Sequence, residues 1–149
     1  MAFDLDDEEL KYNREHPLGV YYRQRKTIVL CGSKRVKTDL LNIQERLIYR
    51  GYNVLIPEEF EKELSKSKAI KRHFEKIEDK DTDCILVVNT MPFDLDIDNY
   101  IGPNTFAEIM FAYYKNKPIY LLQDYYDYYI DELMACNVKC LNGNLNNLY

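Results

Sequence analysis

The residues best suited to chemistry fall in two places. The first is Gly32-Ser33-Lys34-Arg35, which follows an apolar run. Glycine there lets backbone approach closely, serine supplies a hydroxyl, and Arg35 offers a planar fork suited to phosphate or carboxylate. That is anion-binding chemistry, although Gly-Ser after a strand is also simply a good turn. The second is Glu108 in Thr105-Phe106-Ala107-Glu108, the spacing of a capping box in which glutamate satisfies a backbone donor at a helix start. A carboxylate at a helix amino terminus is also favoured in its ionised form and, facing a crevice, can act as a nucleophile. Both roles are open to Glu108.

Other constellations lead nowhere. Asp94-Leu95-Asp96-Ile97-Asp98 alternates acids as a calcium loop does, but Asn99 stands for the required glycine and Thr105 for the closing glutamate. His16 and His73 have no Cys or carboxylate partners at metal spacing, and Cys136 and Cys140 lack a second pair, so no metal site is implied. The dinucleotide and triphosphate glycine fingerprints are absent, which favours cofactor-free chemistry. The tyrosines of Tyr125-Tyr126-Asp127-Tyr128-Tyr129 suit a helix face first and a subunit contact second.

The elements that must position these residues can be read from periodicity. Thr27-Ile28-Val29-Leu30-Cys31 is a β-branched run stopped by glycine, a buried strand. Val36, Leu40, Ile43 and Leu47 recur at helical spacing over 36–50 until Gly51 ends the helix. Asn53-Val54-Leu55-Ile56 reads as a second strand, and 67–80 as a helix with Ile70, Phe74 and Ile77 inward, with 58–66 between them ambiguous. Cys84-Ile85-Leu86-Val87-Val88 has the unbroken apolarity of a central parallel strand. A helix follows over about 105–115, a strand over 118–122, a helix over 128–136 and a short strand over 138–141. Alternating strands and helices predict an α/β single domain, a three-layer parallel sheet of flavodoxin-like or Rossmann-like type with order 2-1-3-4-5. The domain spans 27–149, after an extension over 1–26.

In such a sheet the ligand crevice lies at the carboxyl ends of the strands where the winding reverses, here between the first and third strands. The stretch from Asn89 to Pro103 is about 15 residues, long for a unit of this kind and therefore expected to cover the crevice. It adds Asn89, Asp98, Tyr100, Gly102 and Thr105 to Gly32, Ser33, Lys34 and Arg35 as candidate substrate contacts.

Composition bounds the partners. The 149 residues, 46% apolar and 30% charged, suit one globular core. Twenty basic against 25 acidic residues give a net charge of −5, with no basic run long enough to track a polymeric nucleic acid. No apolar run reaches the roughly 18 residues that span a bilayer, and the acidic start is unlike a secretory signal, so no membrane partner and a cytoplasmic location are expected. Cys31 and Cys84 lie in apolar runs and read as buried free thiols.

Taken in order, Ile28-Val29-Leu30-Cys31-Gly32-Ser33-Lys34-Arg35, Asp83 heading the third strand, and Tyr100-Ile101-Gly102-x-x-Thr105-x-x-Glu108-Ile109 followed by Lys117-Pro118-Ile119 resemble the nucleoside 2-deoxyribosyltransferase-like superfamily, which includes deoxynucleoside monophosphate N-glycosidases. The likeness covers roughly residues 27–122. It implies cleavage or transfer at the N-glycosidic bond of a deoxynucleoside or its 5′-monophosphate, with Glu108 as nucleophile and Asp83 as the acid or orienter of the leaving base. The Cys31-Gly32-Ser33-x-Arg35 segment is more similar to the monophosphate N-glycosidases, whose loop holds the 5′-phosphate. The resemblance also implies a homo-oligomer and no cofactor. The chain departs from the pattern at Val29, often tyrosine, and in lacking a clean second aspartate before Glu108. Those departures motivate the alternative of a non-catalytic nucleotide-sensing module.

Overall fold

The computed structural model describes residues 25–148. Five strands alternate with helices: β1 Thr27–Cys31, α1 Lys37–Tyr49, β2 Asn53–Leu55, α2 Lys66–Glu78, β3 Cys84–Val87, α3 Pro103–Tyr114, β4 Ile119–Leu121, α4 Ile130–Ala135 and β5 Lys139–Cys140. All pairings are parallel and the order is β2-β1-β3-β4-β5, as the alternation predicts. The expected extension over 1–26 falls almost wholly outside the described residues.

The continuous apolarity of β1 and β3 follows from their place. They pair at the centre of the sheet, with Ile28 opposite Cys84 and Cys31 opposite Val87, and each face of the pair is covered. On one face Ile28, Leu30 and Leu86 pack against Leu40, Ile43 and Leu47 of α1 and against Leu145 and Leu148 from the carboxyl-terminal segment. On the other, Val29, Cys31, Ile85 and Val87 pack against Ile77 of α2, Ile109 and Ala112 of α3, and Leu133 of α4. Among the described residues no helix is long and apolar enough to cross a membrane.

Punctuation works locally as expected at the end of α1. Gly51 takes φ 95°, its N–H reaches the carbonyl of Ile48, and the N–H of Tyr52 reaches that of Leu47, the paired bonds of a Schellman cap. Two helices differ from their sequence reading. In α2 the buried face is Ala69, His73 and Ile77, whereas Phe74 is only half-buried and stacks on Phe111 of α3 at 4.3 Å. A polar residue thus occupies the innermost face because the aromatic ring is taken up by the neighbouring helix. In α4, Ile130 and Met134 are exposed and Leu133 alone is buried, since a 3-10 turn, Asp127–Tyr129, shortens the helix to a single apolar contact with the sheet.

Candidate functional site

A cavity of about 390 Å³ opens at the carboxyl end of the sheet. Its floor is the turn after β1, Gly32, Ser33 and Lys34; one wall is Glu59, Leu64, Lys66, Ala69 and Ile70; the other is Tyr100 and the first turns of α3, ending at Glu108. Close approach favours glycine at position 32. A Cβ there would lie 3.0 Å from Cδ1 of Leu40 and 3.3 Å from the carbonyl oxygen of Val88, so a side chain would need these neighbours to give by a few tenths of an ångström. Ser33 caps the following turn, its Oγ accepting from the N–H of Arg35 at 3.1 Å.

Helix α3 begins earlier than its capping-box spacing suggests. Gly102 is the N-cap and Pro103 the first helical residue, where the missing N–H of proline costs nothing. Thr105 is therefore already inside the helix and Glu108 lies a turn further on. The capping role is corrected by this shift: Glu108 is too deep in the helix to reach the N-cap, and its side chain turns into the cavity wall, 8% exposed.

Beneath Glu108 lie two buried residues from different elements. Cys31 ends β1 and His73 sits mid-way along α2; Sγ of Cys31 is 3.5 Å from Nε2 of His73, which is 4.0 Å from Oε2 of Glu108. The three side-chain atoms all fall within 4.8 Å of one another, so His73, which has no Cys or carboxylate partner at metal spacing along the chain, has both beside it in the fold. Chain separation hid what the packing of α2 and α3 on β1 brings together.

Burial sets the protonation of this cluster. It pushes Glu108 up to about 8, with a further push from the charge of Glu59 and a smaller pull downward from the thiol of Cys31. Burial also raises Cys31 well above its ordinary value, with Glu108 adding to it. His73 is lowered to about 4, first by burial and then by the charge of Lys76; the backbone at Leu30 pulls the other way, without meeting hydrogen-bond geometry at Nδ1. Near neutral pH the cluster is a carboxylic acid, a thiol and a neutral imidazole. The 4.0 Å approach of His73 to Glu108 is therefore not an ion pair.

The sequence candidates divide. Gly32, Ser33, Lys34, Tyr100, Gly102, Thr105 and Glu108 all line the cavity. Asp83 does not. It precedes β3 at the amino end of the sheet, where its Oδ2 accepts from the N–H of Thr27 at 2.7 Å, so its position as acid is corrected: the length of β3 separates it from the crevice. Arg35 turns away from the cavity to pair with Asp94 at 2.8 Å, both about half exposed. Asn89 is fully buried and structural. Its Oδ1 accepts from the N–H of Gln123 at 2.9 Å and its Nδ2 donates to the carbonyl of Asp124 at 2.7 Å, tying the exit of β3 to that of β4. Asp98 is exposed and does not line the cavity.

Sequence reading missed Glu59, Lys66, Cys31 and His73 as parts of the site. Glu59 carried a usable signal, because it follows β2 at the same carboxyl edge as Gly32; His73 carried one too, three residues after Ile70 and four before Ile77 on the face read as inward. No family model, no curated protein and no solved structure matches the chain.

Proposed function

We propose that the cavity binds a nucleoside or its 5′-monophosphate and cleaves or transfers at the N-glycosidic bond, with Glu108 as the attacking group. The observation that carries this reading is the carboxyl of Glu108 on the lining of a cavity that also holds a second carboxyl, Glu59. A volume of about 390 Å³ suits a ligand of this size. Lys34 and Lys66 supply positive charge for a phosphate, the part first given to Arg35.

The chemistry balances with these groups. An oxygen of ionised Glu108 bonds to the anomeric carbon while the bond from that carbon to the base nitrogen breaks, its electron pair leaving with the base. The base takes its proton from water, because Glu59, whose negative charge helps to raise Glu108, has none to give, and no carboxyl lining the cavity replaces Asp83. Water or a second base then displaces Glu108 from the sugar and restores the carboxylate. The environment of Glu108 adds a condition: its attacking form is the ionised one, and it gains that form only as pH rises toward about 8. The expected kcat/KM therefore climbs with pH across that range.

The test is incubation with deoxynucleosides and their 5′-monophosphates, with and without a free acceptor base, following base release and exchange by chromatography. Release that climbs with pH and is abolished in Glu108→Ala supports the reading; release retained in Glu108→Ala overturns it. The protonated state of Glu108 near pH 7 also favours a second reading, a sensing module of the same fold. Tight nucleotide binding without turnover at any pH would establish that one.

A further inference from the structure

The cluster behind Glu108 contains two polar side chains that the reaction above does not use. The imidazole is costly where it stands. His73 is 1% exposed, and its Nδ1 is buried without a hydrogen-bond partner. If position 73 served packing alone, leucine would fill it with no unpaired nitrogen. Cys31 is fully buried at the last position of β1, immediately before the Gly32 turn that forms the cavity floor.

A neutral imidazole has one N–H, and Nδ1 of His73 makes no hydrogen bond. Carried on Nε2, the proton faces Sγ of Cys31 at 3.5 Å. With the sulfur accepting from Nε2, its own S–H is left for the carboxyl of Glu108, an oxygen of which lies within 4.8 Å. The direction of donation is then from ring to thiol to carboxyl.

We propose that Cys31 and His73 are positioning residues for Glu108: the imidazole orients the thiol, and the thiol hydrogen-bonds the carboxyl oxygen turned away from the cavity. The other oxygen is thereby held toward the cavity and the atom to be attacked. The proposal rests on the reading of Glu108 as nucleophile only for its catalytic consequence; the hydrogen bond itself is a property of the free protein. A donor to the carboxylate favours its ionised form, so removing it should make Glu108 harder to ionise. The other titratable groups facing Glu108 or lining its cavity are Glu59, from the turn after β2, Lys34 after β1, Lys66 at the start of α2 and Tyr100 from the segment before α3.

The experiment is a carbon-13 NMR titration of the full chain labelled at glutamate side-chain carboxyls, with the Glu108 resonance identified by its loss in Glu108→Gln. In the unaltered protein its midpoint is expected at about 8. Cys31→Ala should raise that midpoint by roughly one unit, and Cys31→Ser, which keeps a donor, should return it to the original value or below. His73→Leu should raise it by less, since the thiol remains but is no longer oriented. An unchanged midpoint in Cys31→Ala, or a Cys31→Ser that behaves like Cys31→Ala, overturns the proposal. Base release read on the same proteins separates the two claims. A fall in kcat of about tenfold at pH 7 in Cys31→Ala, with KM unchanged and kcat rescued in Cys31→Ser, supports both. Shifted midpoints in proteins that never release base leave the positioning intact and remove the glycosidic reading.

Discussion

Replacing Glu108 with glutamine should stabilise the protein, and by an amount that depends on pH in a defined direction. The folded chain holds the Glu108 proton up to about 8, whereas in the unfolded chain the carboxyl has its ordinary value of 4.5. Between those values the folded state binds one more proton than the unfolded state, so stability is lost as pH rises, at about 1.4 kcal/mol per unit. From pH 5 to pH 8 the loss due to Glu108 is about 3 kcal/mol. Its near-complete burial leaves little solvent screening to reduce that figure. His73 works in the opposite sense. Its folded value of about 4 lies below its ordinary 6.5, so stability is gained as pH rises between the two. The two slopes offset one another below about pH 6.5 and the Glu108 loss stands alone above it. Glutamine keeps the shape of the side chain and cannot ionise. Urea unfolding of both proteins at pH 5, 6.5 and 8 should therefore show Glu108→Gln gaining on the unaltered protein by about 3 kcal/mol between pH 5 and pH 8 at unchanged m-value. A difference between the two proteins that is the same at pH 5 and pH 8 would refute the argument that burial, rather than substrate, protonates Glu108.

Two further outcomes separate scaffold from site. Asp83→Asn should cost about 1 kcal/mol through a weakened bond to the N–H of Thr27, seen as a lower urea midpoint, while any base release stays at its original rate; a loss of turnover in a folded variant would return Asp83 to the chemistry. Asn89→Ala leaves the N–H of Gln123 and the carbonyl of Asp124 without their buried partner and should cost about 2–4 kcal/mol in the same assay, against an expectation near zero for a residue serving only as a ligand contact.

Most of the fold was legible because its signals are local. The β-branched runs of β1 and β3, the helical stripe of α1 and the glycine at its end each report on a few neighbouring residues, and alternation of strands with helices leaves one economical sheet order. Half of the site was legible for a related reason. Gly32, Ser33, Lys34 and Glu108 sit at the carboxyl edge, which topology alone designates as the crevice. What failed depended on rotation and reach. The capping spacing at Thr105 and Glu108 was real, but Pro103 started the helix earlier and turned Glu108 inward. Arg35 had the chemistry for an anion and found Asp94 instead; Asp83 had the right type at the wrong end of a strand.

The sequence by itself thus determined the parallel sheet, its order and the edge at which a ligand would be met, since these follow from residue patterns within single elements and from the handedness of their connections. Tertiary structure alone decided the charge state and company of Glu108. Cys31, His73 and Glu59 reach it from β1, α2 and the turn after β2, and desolvation, which sets its proton at about 8, exists only once those elements have closed over it.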